Sequence, residues 1–327
     1  MNSIFILGGK GRELMTIEEI RLNHLPDTKI SMANTFNIDV NAFILAFSRP
    51  NRLVPQIEPG FQFDKQTTLC ILAGLLYNKR VLVIGQHGEE RVAHIEQVCN
   101  RLNWGCIRIN MDSCLTRFDL IGRESIVIQQ GRSIVKFKYG LLPWVLRRPI
   151  VLVLDNYNAC KPETKFIFNK LLEANRKIII TENGRIIRPN ACFRILATSN
   201  TLSGSQVGTF QENSTQLDRW NFVVRVPKLS FNQELVNQIP NKAMRKSIAK
   251  GIVELARLSR HLKKRNKLNL LFPVKTPLTW SKLSITLIAI GEAFKYAYLN
   301  KCERFGRVLI NKKYIEVFKS KHSTKCC

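Results

Sequence analysis

The chemistry this sequence offers is concentrated in a few polar residues at the ends of apolar runs. Leu152-Val153-Leu154-Asp155 is an apolar run that ends in a carboxylate, the arrangement by which a buried strand reaches Mg²⁺ beside a phosphate chain. Ala197-Thr198-Ser199-Asn200 places an amide at the end of a second apolar run, and Asp218-Arg219-Trp220 sets an arginine just ahead of Phe222-Val223-Val224. The segment Gly85-Gln86-His87-Gly88-Glu89-Glu90-Arg91-Val92-Ala93 links an apolar run to an amphipathic one. Strand, glycine loop and helix in that order form the geometry of a phosphate cradle. A working cradle reads G-x-x-x-x-G-K-[ST]. Here Gly85 fills the first position, Glu90 the second glycine, Arg91 the lysine and Val92 the hydroxyl residue. Taken alone, such a segment is equally an ordinary strand-to-helix turn.

The elements that must position these residues are legible as alternating patterns between about 65 and 227. Val81–Ile84, Cys106–Ile109, Ile150–Leu154, Phe193–Ala197 and Phe222–Val224 read as strands. Between them run helical stretches, one with Ile95, Val98 and Leu102 on a single face, another opening at Pro162 and carrying Phe166, Leu171 and Leu172. This alternation predicts a parallel sheet with helices on both faces. Two hairpins interrupt it. Asn183-Gly184 between Ile178–Thr181 and Arg185–Ile187 is a type I′ turn signal, and Gln130-Gly131 joins Ser125–Ile128 to Ser133–Val135. Beyond 228 the pattern is helical: Ile248, Ile252, Leu255 and Leu262 keep a 3.6-residue period, and Trp280 to Ala297 is apolar over most of its circumference. The predicted organisation is a segment over 1–62, an α/β core over 63–227 and a helical domain over 228–327. Asp155 and Asn200 are expected beside the Gly85–Val92 loop, where open α/β sheets bind ligands.

Composition narrows the classes further. The 327 residues carry 51 Lys and Arg against 24 Asp and Glu, a net charge of +27. That balance is compatible with nucleic-acid binding. The charge is spread along the chain, however, and no aromatic-interleaved RNA motif accompanies it, so nucleic acid is not the expected partner. No run approaches the ~18 apolar residues of a membrane span, and Ile4–Leu7 is too short for a signal-peptide core. The expected location is the cytosol. The nine cysteines include no C-x-x-C pair and sit mostly in apolar runs, which predicts buried thiols rather than a metal site. Trp104, Trp144, Trp220 and Trp280 are expected to pack in cores or interfaces, and His94 to pack or cap rather than bind metal.

The ordered set of cradle loop, carboxylate-ended strand, amide-ended strand, arginine and helical C-terminal part resembles an AAA+ P-loop ATPase core with its lid. Stretches outside those generic motifs resemble one family, the small ATPase subunit of aerobic cobaltochelatase (CobS). They include Leu25-Pro26-Asp27-Thr28, Phe63-Asp64-Lys65-Gln66-Thr67-Thr68-Leu69, Arg117-Phe118-Asp119-Leu120-Ile121-Gly122, Leu217-Asp218-Arg219-Trp220 and Leu299-Asn300-Lys301-Cys302. The resemblance runs from about Leu25 to the C-terminus and leaves residues 1–24 unmatched. It implies a ring of AAA+ subunits that couples hydrolysis of ATP with Mg²⁺ to cobalt insertion into hydrogenobyrinic acid a,c-diamide. It also implies the partner subunits CobT and CobN and a ring that is homomeric or mixed.

By the same resemblance, Gly85, Gly88, Glu90, Arg91, Val92 and Lys275 occupy nucleotide-contacting positions, and Asp155 the metal-binding one. Asn156, Asn200 and Arg219 join Asp155 as the catalytic set, with Arg219 as the finger reaching a neighbour's site. The family pattern carries Gly-Lys-Ser-Thr where this chain has Glu90, Arg91, Val92 and Ala93, and a glutamate where it has Asn156. Lys275 stands where the lid arginine is expected. Glu90 brings a carboxylate toward phosphate, Val92 has no hydroxyl for Mg²⁺, and Asn156 cannot act as a base. An ATPase subunit with an impaired site is therefore expected. The other readings are a ring-building subunit of the same complex that hydrolyses nothing, and another remodelling protein of the MoxR type.

Overall fold

The computed structural model describes residues 24–59, 61–85, 90–200, 214–227 and 290–318, with isolated positions between 254 and 283. The chain divides into two compact units that part after Pro227.

The first unit is built on five parallel strands: β3 (Val81–Gly85), β4 (Cys106–Asn110), β7 (Val151–Asp155), β10 (Arg194–Asn200) and β11 (Phe222–Arg225). Their order is β11-β3-β10-β7-β4. Every residue of β3 and β7 is buried, as central parallel strands covered on both faces require. Successive side chains leave a strand on opposite faces, and the sequence alternates accordingly. Leu82, Ile84, Leu152 and Leu154 enter one core, with Val145, Leu146 and Phe168. Val81, Val83, Val151 and Val153 enter the other, with Ile71, Leu75, Ile95 and Val98. The first core is closed by α5 (Leu141–Leu146) and α6 (Pro162–Asn169), the second by α2 (Lys65–Leu76) and α3 (Arg91–Arg101). Asp64 caps α2, accepting from Thr67 N at 2.8 Å and from Thr67 Oγ1 at 2.7 Å.

Several features depart from the sequence reading. No break falls at residue 62. The strands β1 (Thr28–Ser31) and β2 (Phe43–Ala46) pair antiparallel around α1 (Met32–Phe36). Met32, Phe36, Ile44 and Phe47 join the second core of the same unit. The α6 helix ends at Asn169, so Leu171 and Leu172 are buried beyond it, and Phe166 is exposed. The type I′ turn also sits elsewhere than expected. β5 (Gly122–Gln129) and β6 (Arg132–Tyr139) join through Gln130 and Gly131, both at positive φ. Between β8 (Ile178–Ile180) and β9 (Arg185–Ile187) only Gly184 has positive φ. There the register Ile180↔Arg185 makes a four-residue loop that needs one left-handed position instead of two.

In the second unit, α8 (Ile290–Ala297) and α9 (Arg304–Phe318) share a core of Trp280, Phe294, Tyr298 and Tyr314. Phe294 and Tyr314 stack with centroids 4.4 Å apart. Leu255 and Leu262 are buried there; Ile248 and Ile252 lie outside the described residues. Trp104, Trp220 and Trp280 are buried and Trp144 packs against the first core. The four-residue helices α4 (Arg117–Leu120) and α7 (Ser214–Leu217) complete the chain order.

Candidate functional site

Register brings the strand-end residues together. Asn200 on β10 lies opposite Gly85 on β3, Ala197 opposite Leu154 on β7, and Asn110 on β4 opposite Asp155. Gly85, Asp155 and Asn200 therefore share the edge of the sheet at which its strands end, as the sequence reading places them.

Asp155 is 2% exposed, and both of its carboxylate oxygens accept hydrogen bonds. Its Oδ1 accepts from Thr198 Oγ1 at 2.5 Å. Its Oδ2 accepts from Arg108 Nε at 2.9 Å and from Arg108 Nη2. Asn156 follows in a left-handed backbone conformation, φ 56° and ψ 46°. Asparagine tolerates that conformation better than most residues. Its N–H donates to Thr198 Oγ1 at 3.1 Å and its Nδ2 to Asn110 Oδ1 at 3.3 Å. Asn200 donates its N–H to Asn158 Oδ1 at 3.2 Å. Its own Oδ1 is buried without a hydrogen-bond partner, an acceptor that a water could satisfy.

Residues 86–89 lie outside the described residues; the described residues that flank them are Gly85 on one side and Glu90, Arg91 and Val92 on the other. Glu90 is the residue before α3, and its side chain makes no capping bond to the helix. Arg91 is buried, and its Nη1 donates to the main-chain carbonyls of Gly85, at 3.0 Å, and of Ser199. The guanidinium at the lysine position is thus held by the ends of β3 and β10. Val92 offers no oxygen. Gly88 and Lys275 lie outside the described residues.

These residues do not fit Mg²⁺. Among the described residues, the strand-end carboxylate Asp155 already has the Arg108 guanidinium as its counter-ion, and Val92 stands where a hydroxyl would complete the site. Among the described residues, no group of three or more His, Cys, Asp or Glu could hold another metal ion.

Arg219 lies at the opposite edge. It precedes β11, on the side where the strands begin, and its carbonyl accepts from Arg80 Nε at 3.0 Å. Its Nη1 pairs with Glu173 Oε1 at 3.3 Å. It does not meet Asp155, Asn156 or Asn200 within its own chain. His94 is buried, shares a 2.8 Å hydrogen bond with Thr68 Oγ1 and stands edge-on to Phe61 and Phe63. Burial holds its pKa at about 4, against a small opposing pull from Asp64. It packs, as expected.

Two participants were missed. Thr198 lies two residues before Asn200, in the run Ala197-Thr198-Ser199-Asn200. Arg108 carried a signal of its own, a lone charge inside the apolar strand Cys106-Ile107-Arg108-Ile109.

A five-stranded parallel sheet with a strand-end carboxylate and amide beside a helix-opening loop defines an AAA+ ATPase core. A family model, the AAA domain of the dynein-related subfamily, matches residues 80–215. The aerobic cobaltochelatase subunit CobS of a Sinorhizobium species is 35% identical over 93% of this chain and 95% of its own length. More distant are YojN of Bacillus subtilis (strain 168), 25% identical over 55% of this chain and 58% of that one, and midasin of Dictyostelium discoideum, 26% identical over 41% and 2%. The chain belongs to the CobS family of aerobic cobaltochelatase subunits.

Proposed function

We propose that this chain is an AAA+ subunit of a cobaltochelatase-type complex whose own nucleotide site does not turn over. Its remaining contribution is made in trans, as a ring member beside an intact ATPase subunit. The reaction served is ATP-driven cobalt insertion into hydrogenobyrinic acid a,c-diamide, with CobT- and CobN-type subunits as the other partners. One observation carries the reading: Arg108 and Thr198 hold Asp155, so the strand-end carboxylate is already paired where a metal would need it. The loss of the lysine, the hydroxyl and the general base agrees with it. All the changed residues act on a chain's own nucleotide. Arg219 occupies the other edge of the sheet, from which a finger serves a neighbour's site, and such a finger contributes roughly 10³–10⁵ in rate.

The second reading, a ring-building subunit without catalytic influence, is favoured by the ion pair between Arg219 and Glu173. A mixing experiment separates the two. An intact CobS-type subunit at sub-saturating concentration is combined with this chain or its Arg219→Ala variant, and ATP turnover and cobalt insertion are followed. Stimulation by the parent and not by the variant supports the trans-acting role. Equal stimulation by both, or by neither, removes it.

A further inference from the structure

The edge of the sheet at which the strands begin carries a cavity of about 560 Å³ outside the site described above. Its walls come from Asn78–Arg80 ahead of β3, from Ala174 and Arg176 ahead of β8, from Arg188–Ala191 between β9 and β10, and from Asn221 ahead of β11. Lys79, Arg80, Arg176 and Arg188 all line it, and among the described residues no carboxylate does. The nearby Glu173 carboxylate is committed to Lys170 and Arg219.

The cations are held in place. Arg176 donates from Nη1 to Asn78 Oδ1 and from Nη2 to Asn78 O, both at 2.6 Å, and Asn78 takes a left-handed backbone, φ 52°. Arg80 is braced between the carbonyls of Arg219, at 3.0 Å, and Glu173, at 3.4 Å. A guanidinium has five N–H donors, so both keep donors for a ligand. Arg188 is exposed. Burial, together with the charges of Arg80 and Arg194, pushes the Arg176 pKa down to about 10. Like charges gathered in a partly buried hollow repel one another, and a bound anion relieves that repulsion.

We propose that this cavity is a binding site for a phosphate-chain anion, with Arg80, Arg176, Arg188 and Lys79 as its ligands. Planar, pre-positioned guanidiniums match phosphate oxygens two at a time. Four cations match several negative charges rather than one carboxylate, and the volume is that of a small-molecule site. The anion has two possible sources, a free oligophosphate compound or the terminal phosphates of a nucleotide held by the neighbouring ring member.

The test titrates the full chain with inorganic pyrophosphate in metal-free buffer. Arg188→Ala and Arg176→Gln should each weaken binding about tenfold. Arg132→Ala, which removes a charge from the exposed β5–β6 hairpin, should leave it within about twofold. Arg188 is exposed, so its variant keeps the test sound if Arg176→Gln fails to fold. No binding by the parent, equal affinity in parent and Arg188→Ala, or equal weakening by Arg132→Ala overturns the proposal. A second arm separates the sources. With pyrophosphate binding established, loss of mixed-ring ATP turnover in Arg188→Ala assigns the site to the neighbour's nucleotide, and unchanged turnover assigns it to a free compound. Only this second arm rests on the ring reading; the titration stands without it.

Discussion

Arg108 Nε lies 2.9 Å from Asp155 Oδ2, joining a half-exposed guanidinium to a carboxylate whose side chain is 3% exposed. A buried carboxylate is tolerated when it is paired and hydrogen-bonded and is costly when one partner is removed. Arg108→Ala should lower the stability to urea unfolding by about 1–3 kcal/mol. It also opens Asp155 to an external cation. Mg²⁺ should raise the melting temperature of the variant and leave that of the parent unchanged. A parent stabilised by Mg²⁺ as strongly as the variant would contradict the pairing.

Nucleotide binding by the isolated chain should be weak and indifferent to Mg²⁺. Titration with a fluorescent ATP analogue should give the same affinity in Mg²⁺ and in EDTA. Hydrolysis should stay below the ordinary enzymatic range, that is, under about 1 per second. Restoring Glu90→Gly, Arg91→Lys, Val92→Ser and Asn156→Glu together should raise turnover and bring back a dependence on Mg²⁺.

Stability should fall with acid through the window set by His94. Its folded pKa, about 4, lies below the ordinary value of 6.5, so the unfolded chain binds the proton more tightly. The stabilisation is complete above about pH 6.5 and is lost as pH falls toward 4, amounting to about 3 kcal/mol in all. His94→Gln keeps a hydrogen-bonding group for Thr68 and removes the titration. Urea midpoints measured across this range should show a shallower acid slope for the variant.

Glu173 and Arg219 offer a test of competition. If Arg219 serves a neighbour, its ion pair with Glu173 holds it back. Glu173→Gln should then increase the stimulation of an intact ATPase subunit, while Arg219→Ala abolishes it. A Glu173→Gln variant that stimulates no better than the parent would show that the pair does not restrain the finger.

The sheet was legible because its central strands are buried on both faces. Val81–Ile84 and Val151–Leu154 are continuous apolar runs, and a parallel strand in this setting needs nothing else. Strand-end placement then fixed Asp155, Asn200 and Gly85 at one edge. Arg108 stands out as a lone charge, but its pairing with Asp155 was not legible, because the contact joins residues 47 positions apart and depends on β4 lying next to β7. The hairpin turns mislead for a related reason. Asn183-Gly184 is the stronger local signal, but the loop length that selects a turn type is set by where Ile180 and Arg185 pair. The strands within 28–47 are too short to show a long apolar period, and the sequence marks them only as part of a segment over 1–62. Its contribution comes from Met32, Phe36 and Ile44 packing under the sheet.

The left-handed backbone at Asn156 bears on the history of the site. Glutamate in that conformation is disfavoured by roughly 1–2 kcal/mol, so on the reading proposed above Asn156→Glu alone strains the chain and gives no hydrolysis while Glu90, Arg91 and Val92 remain. On the same reading each of the other three changes is unrewarded by itself, and Arg91→Lys also gives up a guanidinium anchored to two carbonyls. On that reading the path to turnover runs through several consecutive losses before any gain. If the proposed function holds, such a change behaves as a ratchet: a lineage that has taken these steps keeps the subunit for what it does inside the assembly, or loses it.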